Sequence, residues 1–165
     1  MTILTHRTET PAGVLMTAER DGSLVACGFA DHWDVLVARV EQRFPDDVWT
    51  DGETAASRAI DDYVHGDLEA IDDLPVDTGG TEFQQRVWAA LRTIPLGETW
   101  SYRDLAIAVG NEGAMRAVGS ANGKNPVSVV VPCHRVVRAD GSLGGYGGGL
   151  DRKVWLLTHE GARLA

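Results

Sequence analysis

Residues 129–137 read VVVPCHRVV, which sets a thiol, an imidazole and a guanidinium in succession inside a β-branched apolar run. Cys133 beside His134 could generate a nucleophile, because an imidazole that takes the thiol's proton leaves a reactive thiolate. On a regular strand the two side chains would point to opposite faces. Pro132, just before them, fixes φ and lacks an N–H, so it marks a bend or strand end where the pair can converge. Such a pair needs a third group to orient the imidazole. Two acids offer themselves: Glu160, on the apolar helical stretch WLLTHEG (155–161), and Asp140, in a Gly-rich loop where forming a turn is the ordinary use of an aspartate. Glu160 is the better candidate. The competing reading is that Cys133 is a small buried hydrophobe, which is the commoner use of cysteine.

The elements around this stretch fall into two groups. In residues 1–30, GVLMTAE and SLVACGFA are apolar runs separated by Asp21-Gly22, a hairpin signal. HWDVLVARVEQRF (32–44) predicts a helix that buries Val35, Leu36, Val40 and Phe44 and stops before Pro45. TAASRAIDDYVHG (54–66) predicts a second, with Ala56, Ile60 and Tyr63 inward and Gly66 as its stop. DLEAIDDLPVDTGG (67–80) reads as a linker. Beyond it, Thr81 and Gln84 make a capping box for a helix carrying Phe83, Val87, Leu91 and Ile94. SYRDLAIAVG has Ser101 as N-cap and Gly110 as stop, and a short turn leads to AMRAVGSANG. Two short helices joined by a Gly-containing turn are a helix-turn-helix pattern. The second is slim: Gly119, Ser120, Ala121 and Gly123 give up helix propensity, about 1 kcal/mol for each glycine, for close approach to another surface. That surface is either a neighbouring helix or a nucleic-acid groove, and Arg116 favours the groove.

The chain of 165 residues has room for one domain or two small ones. Its net charge of −9 argues against nucleic acid only if taken whole. Residues 1–80 carry five Arg against seventeen Asp and Glu; residues 81–165 carry ten Lys and Arg against seven acids. The split suggests two domains with different partners, the second able to tolerate a phosphate backbone; the competing reading is that the acids simply keep the first half soluble. Two cysteines, no CxxC pair and no HxxxH or HExxH spacing leave no pattern for a structural zinc site. With no signal-peptide core and no apolar span of membrane length, a cytoplasmic location is expected.

NPVSVVVPCHRVV, followed by GGYGGGL and KVWLLTHEG, resembles the O6-alkylguanine-DNA alkyltransferases, also called methylated-DNA–protein-cysteine methyltransferases. The likeness is dense over residues 81–161, where FQQRVW, IPLGET, SYRDLA, RAVG, NP, PCHRVV and LLTHEG occur in the family's order, and weaker but compatible over residues 1–80. The resemblance implies an α/β protein of two domains. Residues 1–75 would form a small antiparallel-sheet, ribonuclease-H-like domain. Residues 76–165 would form a mostly helical domain with a winged helix-turn-helix.

By the same resemblance, Cys133 accepts the alkyl group of O6-alkylguanine, and of O4-alkylthymine, in double-stranded DNA. His134 deprotonates it through a water, and Glu160 orients His134. Each molecule would act once, without metal or cofactor. Tyr102 would help rotate the nucleotide and donate to the guanine ring nitrogen; Arg116 would fill the vacated stack; Asn125 would tie the recognition helix to the active-site turn. The minor-groove surface would comprise Ala114, Ala117, Ser120, Ala121, Gly123, Lys124 and Arg135 beside Tyr102 and Arg116. Tyr146, Gly147, Gly148, Val136 and Lys153 would surround the alkyl group. The protein would be a monomer, with cooperativity along DNA left open, and would not engage a membrane. Some family members have serine where this chain has Gly147, and others bind zinc in the first domain through Cys and His residues that this chain lacks. Relatives that only sense damage replace the acceptor cysteine, whereas Cys133 is present. Two rival functions are a non-reacting lesion sensor and a Cys-His-Glu hydrolase of small esters or amides.

Overall fold

The computed structural model describes residues 1–164. The chain divides into two compact units, Met1–Thr78 and Gly79–Ala165. The first unit starts with three strands, β1 (Thr2–Thr10), β2 (Gly13–Arg20) and β3 (Ser23–Phe29). Asp21 (φ 53°) and Gly22 (φ 83°) turn β2 into β3 with both residues at positive φ, which is the reason an Asp-Gly pair stands there. Helix α1 (Trp33–Arg43), strand β4 (Val48–Asp51) and helix α2 (Ala55–Val64) follow. The strand order is β3-β2-β1-β4.

The sheet is mixed, which corrects the antiparallel expectation. β1 pairs antiparallel with β2, but β4 lies parallel to β1, from Thr2↔Val48 to Thr5↔Asp51. Only four residues long, with the burial pattern of an exposed edge, β4 has no apolar alternation by which to find it. Helix α1 covers one face and forms a core of Ile3, Ala18, Val25, Ala26, Leu36 and Val40. Gly28 permits the approach, since a Cβ there would sit 2.6 Å from Leu36 Cδ1. Val35, expected inward, is 55% exposed. It lies about 100° round the helix from Leu36, outside the buried stripe.

The segment read as a linker is folded onto the first unit. Ile71 is buried, Val76 bridges to Leu24, and the Arg43 guanidinium reaches the Asp77 carboxylate at 2.6 Å. The break therefore falls after residue 78 rather than 75.

The second unit contains α3 (Glu82–Leu91), β5 (Trp100–Ser101), α4 (Tyr102–Ala108), α5 (Met115–Gly123), a 3-10 turn (Cys133–Arg135), β6 (Val136–Val137) and α6 (Leu150–His159). Thr81/Gln84 and Ser101/Asp104 are both reciprocal capping boxes. A cap of this kind is worth about 1 kcal/mol and fixes the first residue of its helix, so Ser101 sets where Tyr102 stands. Trp88 Nε1 donates to the Ala121 carbonyl and docks α3 on α5. Strands β5 and β6 pair in parallel, Trp100↔Val136 and Ser101↔Val137. That short pairing matters for chemistry: Tyr102 follows β5, and the Cys133 turn precedes β6. No helix among the described residues is long and apolar enough to cross a membrane.

Candidate active site

Two tight backbone turns shape the approach to Cys133. Val129 has φ 73°, and the N–H of Val130 donates back to Ser128 O at 2.9 Å. A β-branched residue at positive φ is strained, by about 1–3 kcal/mol, and persists only where its surroundings hold it. Pro132 has φ −82° and ψ 64°, and the Cys133 N–H donates to Val131 O at 2.8 Å, an inverse γ-turn. The bend expected from Pro132 is this turn. Asn125 locks the loop: its Nδ2 donates to Val131 O at 2.7 Å and its Oδ1 accepts from Val127 N at 3.0 Å. Asn125 thus binds the active-site loop two residues after α5 ends.

His134 is fully buried, and its Nε2 stands 2.9 Å from Glu160 Oε1. A carboxylate only accepts, so Nε2 carries the hydrogen, and Nδ1 is left with a basic lone pair. Nδ1 is buried with no hydrogen-bond partner in the protein. Glu160 is shared. The Arg135 guanidinium donates Nε to Oε1 at 2.9 Å and Nη2 to Oε2 at 3.1 Å, and its Nη1 donates to Ile94 O at 2.7 Å. Burial works against ionisation of Glu160, but His134 and Arg135 prevail and hold it well below the usual carboxylate range. Burial pushes the Cys133 thiol up, while Asn125, Lys153 and Ser128 pull it down. Burial therefore favours the neutral thiol at rest.

Lys153 is fully buried, and its Nζ donates to the carbonyls of Val136 (2.6 Å), Leu143 (2.5 Å) and Gly145 (3.2 Å). Three acceptors match the three hydrogens of an ammonium. Burial nonetheless lowers the group to about 8, partly offset by the field of Cys133. Tyr102 is half-buried, with its ring against α5 at Gly119 and its hydroxyl beside Gly144. Burial first and the Cys133 charge second raise its pKa.

The site residues expected from the sequence divide sharply. Cys133, His134, Glu160, Asn125 and Lys153 are buried together around the 133–135 turn. Arg116, Ala117, Ser120 and Gly123 form an exposed stripe on α5, with Ala114 half-exposed at its N-cap and Lys124 exposed at its C-cap. Two expected DNA contacts are corrected. Arg135 is buried and occupied by Glu160 and Ile94, so its guanidinium does not face a phosphate. Ala121 is 2% exposed, packed toward α3 where Trp88 bonds its carbonyl. Val136 is buried, its carbonyl held by Lys153. In the 143–149 loop Tyr146 and Gly148 are half-buried and Gly147 exposed, and a Cβ on Gly147 would meet nothing within 4 Å. Asp140 is a turn residue, its Oδ1 accepting from the N–H and hydroxyl of Ser142. Arg138 and Asn122 were missed. Arg138 lies beside Gly144 and the Tyr102 hydroxyl, and Asn122 lies behind Cys133. Among the described residues no three His, Cys, Asp or Glu side chains gather as a metal site.

Residues 82–162 match the family model described as 6-O-methylguanine DNA methyltransferase, DNA binding domain. The crystal structure of the Mycobacterium tuberculosis O6-methylguanine methyltransferase superposes with a TM-score of 0.78 at 39% identity, covering 99% of this chain and 95% of that one. The chain belongs to the O6-methylguanine-DNA methyltransferase family. The Shigella flexneri methylated-DNA–protein-cysteine methyltransferase is 55% identical over 108 residues, 66% of this chain and 63% of the relative. The match therefore spans less than two thirds of that relative's length. The M. tuberculosis protein is also known in complex with DNA, and that structure matches this methyltransferase-family chain with a TM-score of 0.74 at 36% identity over 95% of its length.

Proposed function

We propose that the chain repairs O6-alkylguanine in double-stranded DNA by moving the alkyl group irreversibly to Cys133. The observation that carries this is the buried His134 ring, whose Nε2 is fixed on Glu160 at 2.9 Å while Nδ1 is left as a base next to Cys133 in sequence. The thiol's proton passes through a water to Nδ1. The sulfur's electron pair forms the S–C bond, the C–O6 bond breaks, and its pair stays on the guanine, which takes up a proton. Arg135 keeps Glu160 ionised, so an imidazolium forming at His134 faces a full negative charge. The thioether has no good leaving group, so each molecule acts once. O4-alkylthymine presents the same kind of O-alkyl carbon and could react in the same way.

The reacting carbon lies inside a base stack and must be rotated out, at a cost of a few kcal/mol. The exposed stripe of α5 is slim enough to enter a minor groove, with Arg116 filling the gap left in the stack. Tyr102 donates to the guanine ring nitrogen, and its raised pKa keeps the hydroxyl protonated for that purpose. We read α4, α5 and the β5–β6 pair as a winged helix-turn-helix. The β3-β2-β1-β4 order, with β4 parallel to β1, we read as a ribonuclease-H-like sheet.

The test is a one-to-one incubation with duplex DNA carrying isotopically labelled O6-methylguanine, followed by peptide mass analysis. The expected result is one methyl group on Cys133 per molecule, and none in Cys133→Ala, which still binds the duplex. Duplex binding with an unmodified Cys133 would mark a sensor. Multiple turnovers on a small ester would mark a hydrolase.

A further inference from the structure

Asn122 is 93% buried yet only half satisfied. Its Nδ2 makes a long contact, 3.5 Å, to the Cys133 carbonyl, and its Oδ1 has no hydrogen-bond partner. The carbonyl fixes the amide's orientation, with nitrogen toward Cys133 and oxygen away from it. A buried carboxamide oxygen without a donor is costly, so the position is explained best by a donor that arrives from outside the chain.

The helix face indicates where that donor comes from. Gly119 and Asn122 are three residues apart on α5 and so share a face. A Cβ on Gly119 would lie 3.7 Å from the Tyr102 ring, while Asn122 touches Cys133. One face of α5 therefore joins the Tyr102 hydroxyl group's element to the reacting sulfur's residue. A guanine read from its minor-groove edge presents a ring-nitrogen acceptor with the 2-amino donor beside it. Tyr102 supplies a donor and Asn122 Oδ1 an acceptor, which is the complement of that edge. O6-alkylguanine has lost its N1 hydrogen, so the 2-amino group is the one Watson–Crick-edge donor it retains.

We propose that Asn122 is a specificity-determining residue, whose Oδ1 accepts a hydrogen bond from the 2-amino group of the lesion base. O4-alkylthymine has an oxygen at the equivalent edge, which leaves Asn122 Oδ1 facing another acceptor. The residue thus favours O6-alkylguanine over O4-alkylthymine.

The inference rests on the transfer reading above, and the experiment separates the two. Single-turnover rates are measured for O6-methylguanine, O6-methylhypoxanthine (which lacks the 2-amino group) and O4-methylthymine in the same duplex. They are compared between the wild-type protein and Asn122→Leu, with Asn122→Ala in reserve should the leucine variant not fold. Wild type is expected to prefer O6-methylguanine to O6-methylhypoxanthine by about tenfold, the scale of one buried hydrogen bond. The substitution is expected to slow O6-methylguanine selectively and collapse that ratio toward one, with a smaller penalty on O4-methylthymine. An unchanged ratio, or equal losses on all three bases, overturns the role of Asn122 while leaving the transfer reading intact. A wild-type protein that leaves Cys133 unmodified by every substrate overturns both.

Discussion

Glu160 holds two donor groups, an imidazole and a guanidinium, with two oxygens. Oε1 meets both His134 and Arg135, and Oε2 meets Arg135. The guanidinium is always charged, so it keeps the carboxylate ionised whatever the state of the imidazole. Removing it takes the guanidinium from a buried carboxylate, and breaking a buried pair on one side costs about 3–5 kcal/mol. Arg135→Met is therefore expected to lower the denaturant midpoint strongly, and Arg135→Lys to recover little, because one ammonium cannot reach both carboxylate oxygens and the Ile94 carbonyl. A midpoint within error of wild type would disprove this. The pH dependence has a definite sign. Glu160 titrates lower in the folded chain than in the unfolded one, so its contribution is complete above the ordinary glutamate value, about 4.3, and disappears as the pH falls below it. Chemical denaturation of the wild type between pH 6 and 3 should show this loss, and Glu160→Gln should show less of it.

At the scale of elements, Lys153 is the fastener between α6, strand β6 and the glycine-rich loop. Its three hydrogens hold Val136, Leu143 and Gly145, and with the value lowered to about 8 the third hydrogen is lost in mildly alkaline solution. One carbonyl then loses its donor and the hold on the glycine-rich loop weakens. Over the same range a thiol raised by burial becomes more ionised. Methyl transfer from duplex DNA is expected to fall as the pH rises through about 8, while alkylation of Cys133 by a small reagent such as iodoacetamide rises; parallel profiles would remove Lys153 from that role. Lys153→Met should slow transfer severalfold even at neutral pH. The elements that place these groups were legible where local chemistry decides: Thr81/Gln84 and Ser101/Asp104 give their helices away by spacing, Asp21-Gly22 its hairpin, and Pro132 its bend. What escaped was decided by distant partners. Strand β4 exists because β1 offers it an edge, Arg135 turns inward because Glu160, twenty-five residues on, is buried there, and Asn122 has no local pattern that distinguishes it from a polar helix residue.

Over the whole molecule, net charge limits where the proposed affinity for DNA can come from. The chain carries −9, with five Arg against seventeen acids in residues 1–80. A protein of this charge gains no general attraction to a polyanion, so the DNA binding proposed above would rest on a few local cations: Arg116 on α5, Lys124 at its C-cap and Arg138 beside the Tyr102 hydroxyl, all exposed. Each phosphate neutralised contributes about 0.9 to the slope of log affinity against log salt. Three such contacts give a shallow slope, about −3, against about −10 for a strongly basic repressor dimer. Lys124→Ala should flatten the slope by about one and weaken all duplexes alike, since a phosphate contact carries no sequence or lesion information. Arg116→Ala should behave differently. If its side chain occupies the space left by the rotated base, its loss falls on repair in duplex and spares reaction with free O6-methylguanine, which needs no rotation. Fluorescence anisotropy across a salt series gives the first quantity, and single-turnover transfer on duplex and free base gives the second. Equal rate losses on both substrates would remove Arg116 from that role, whereas a loss confined to duplex with a salt slope flatter by about one would assign it to a phosphate.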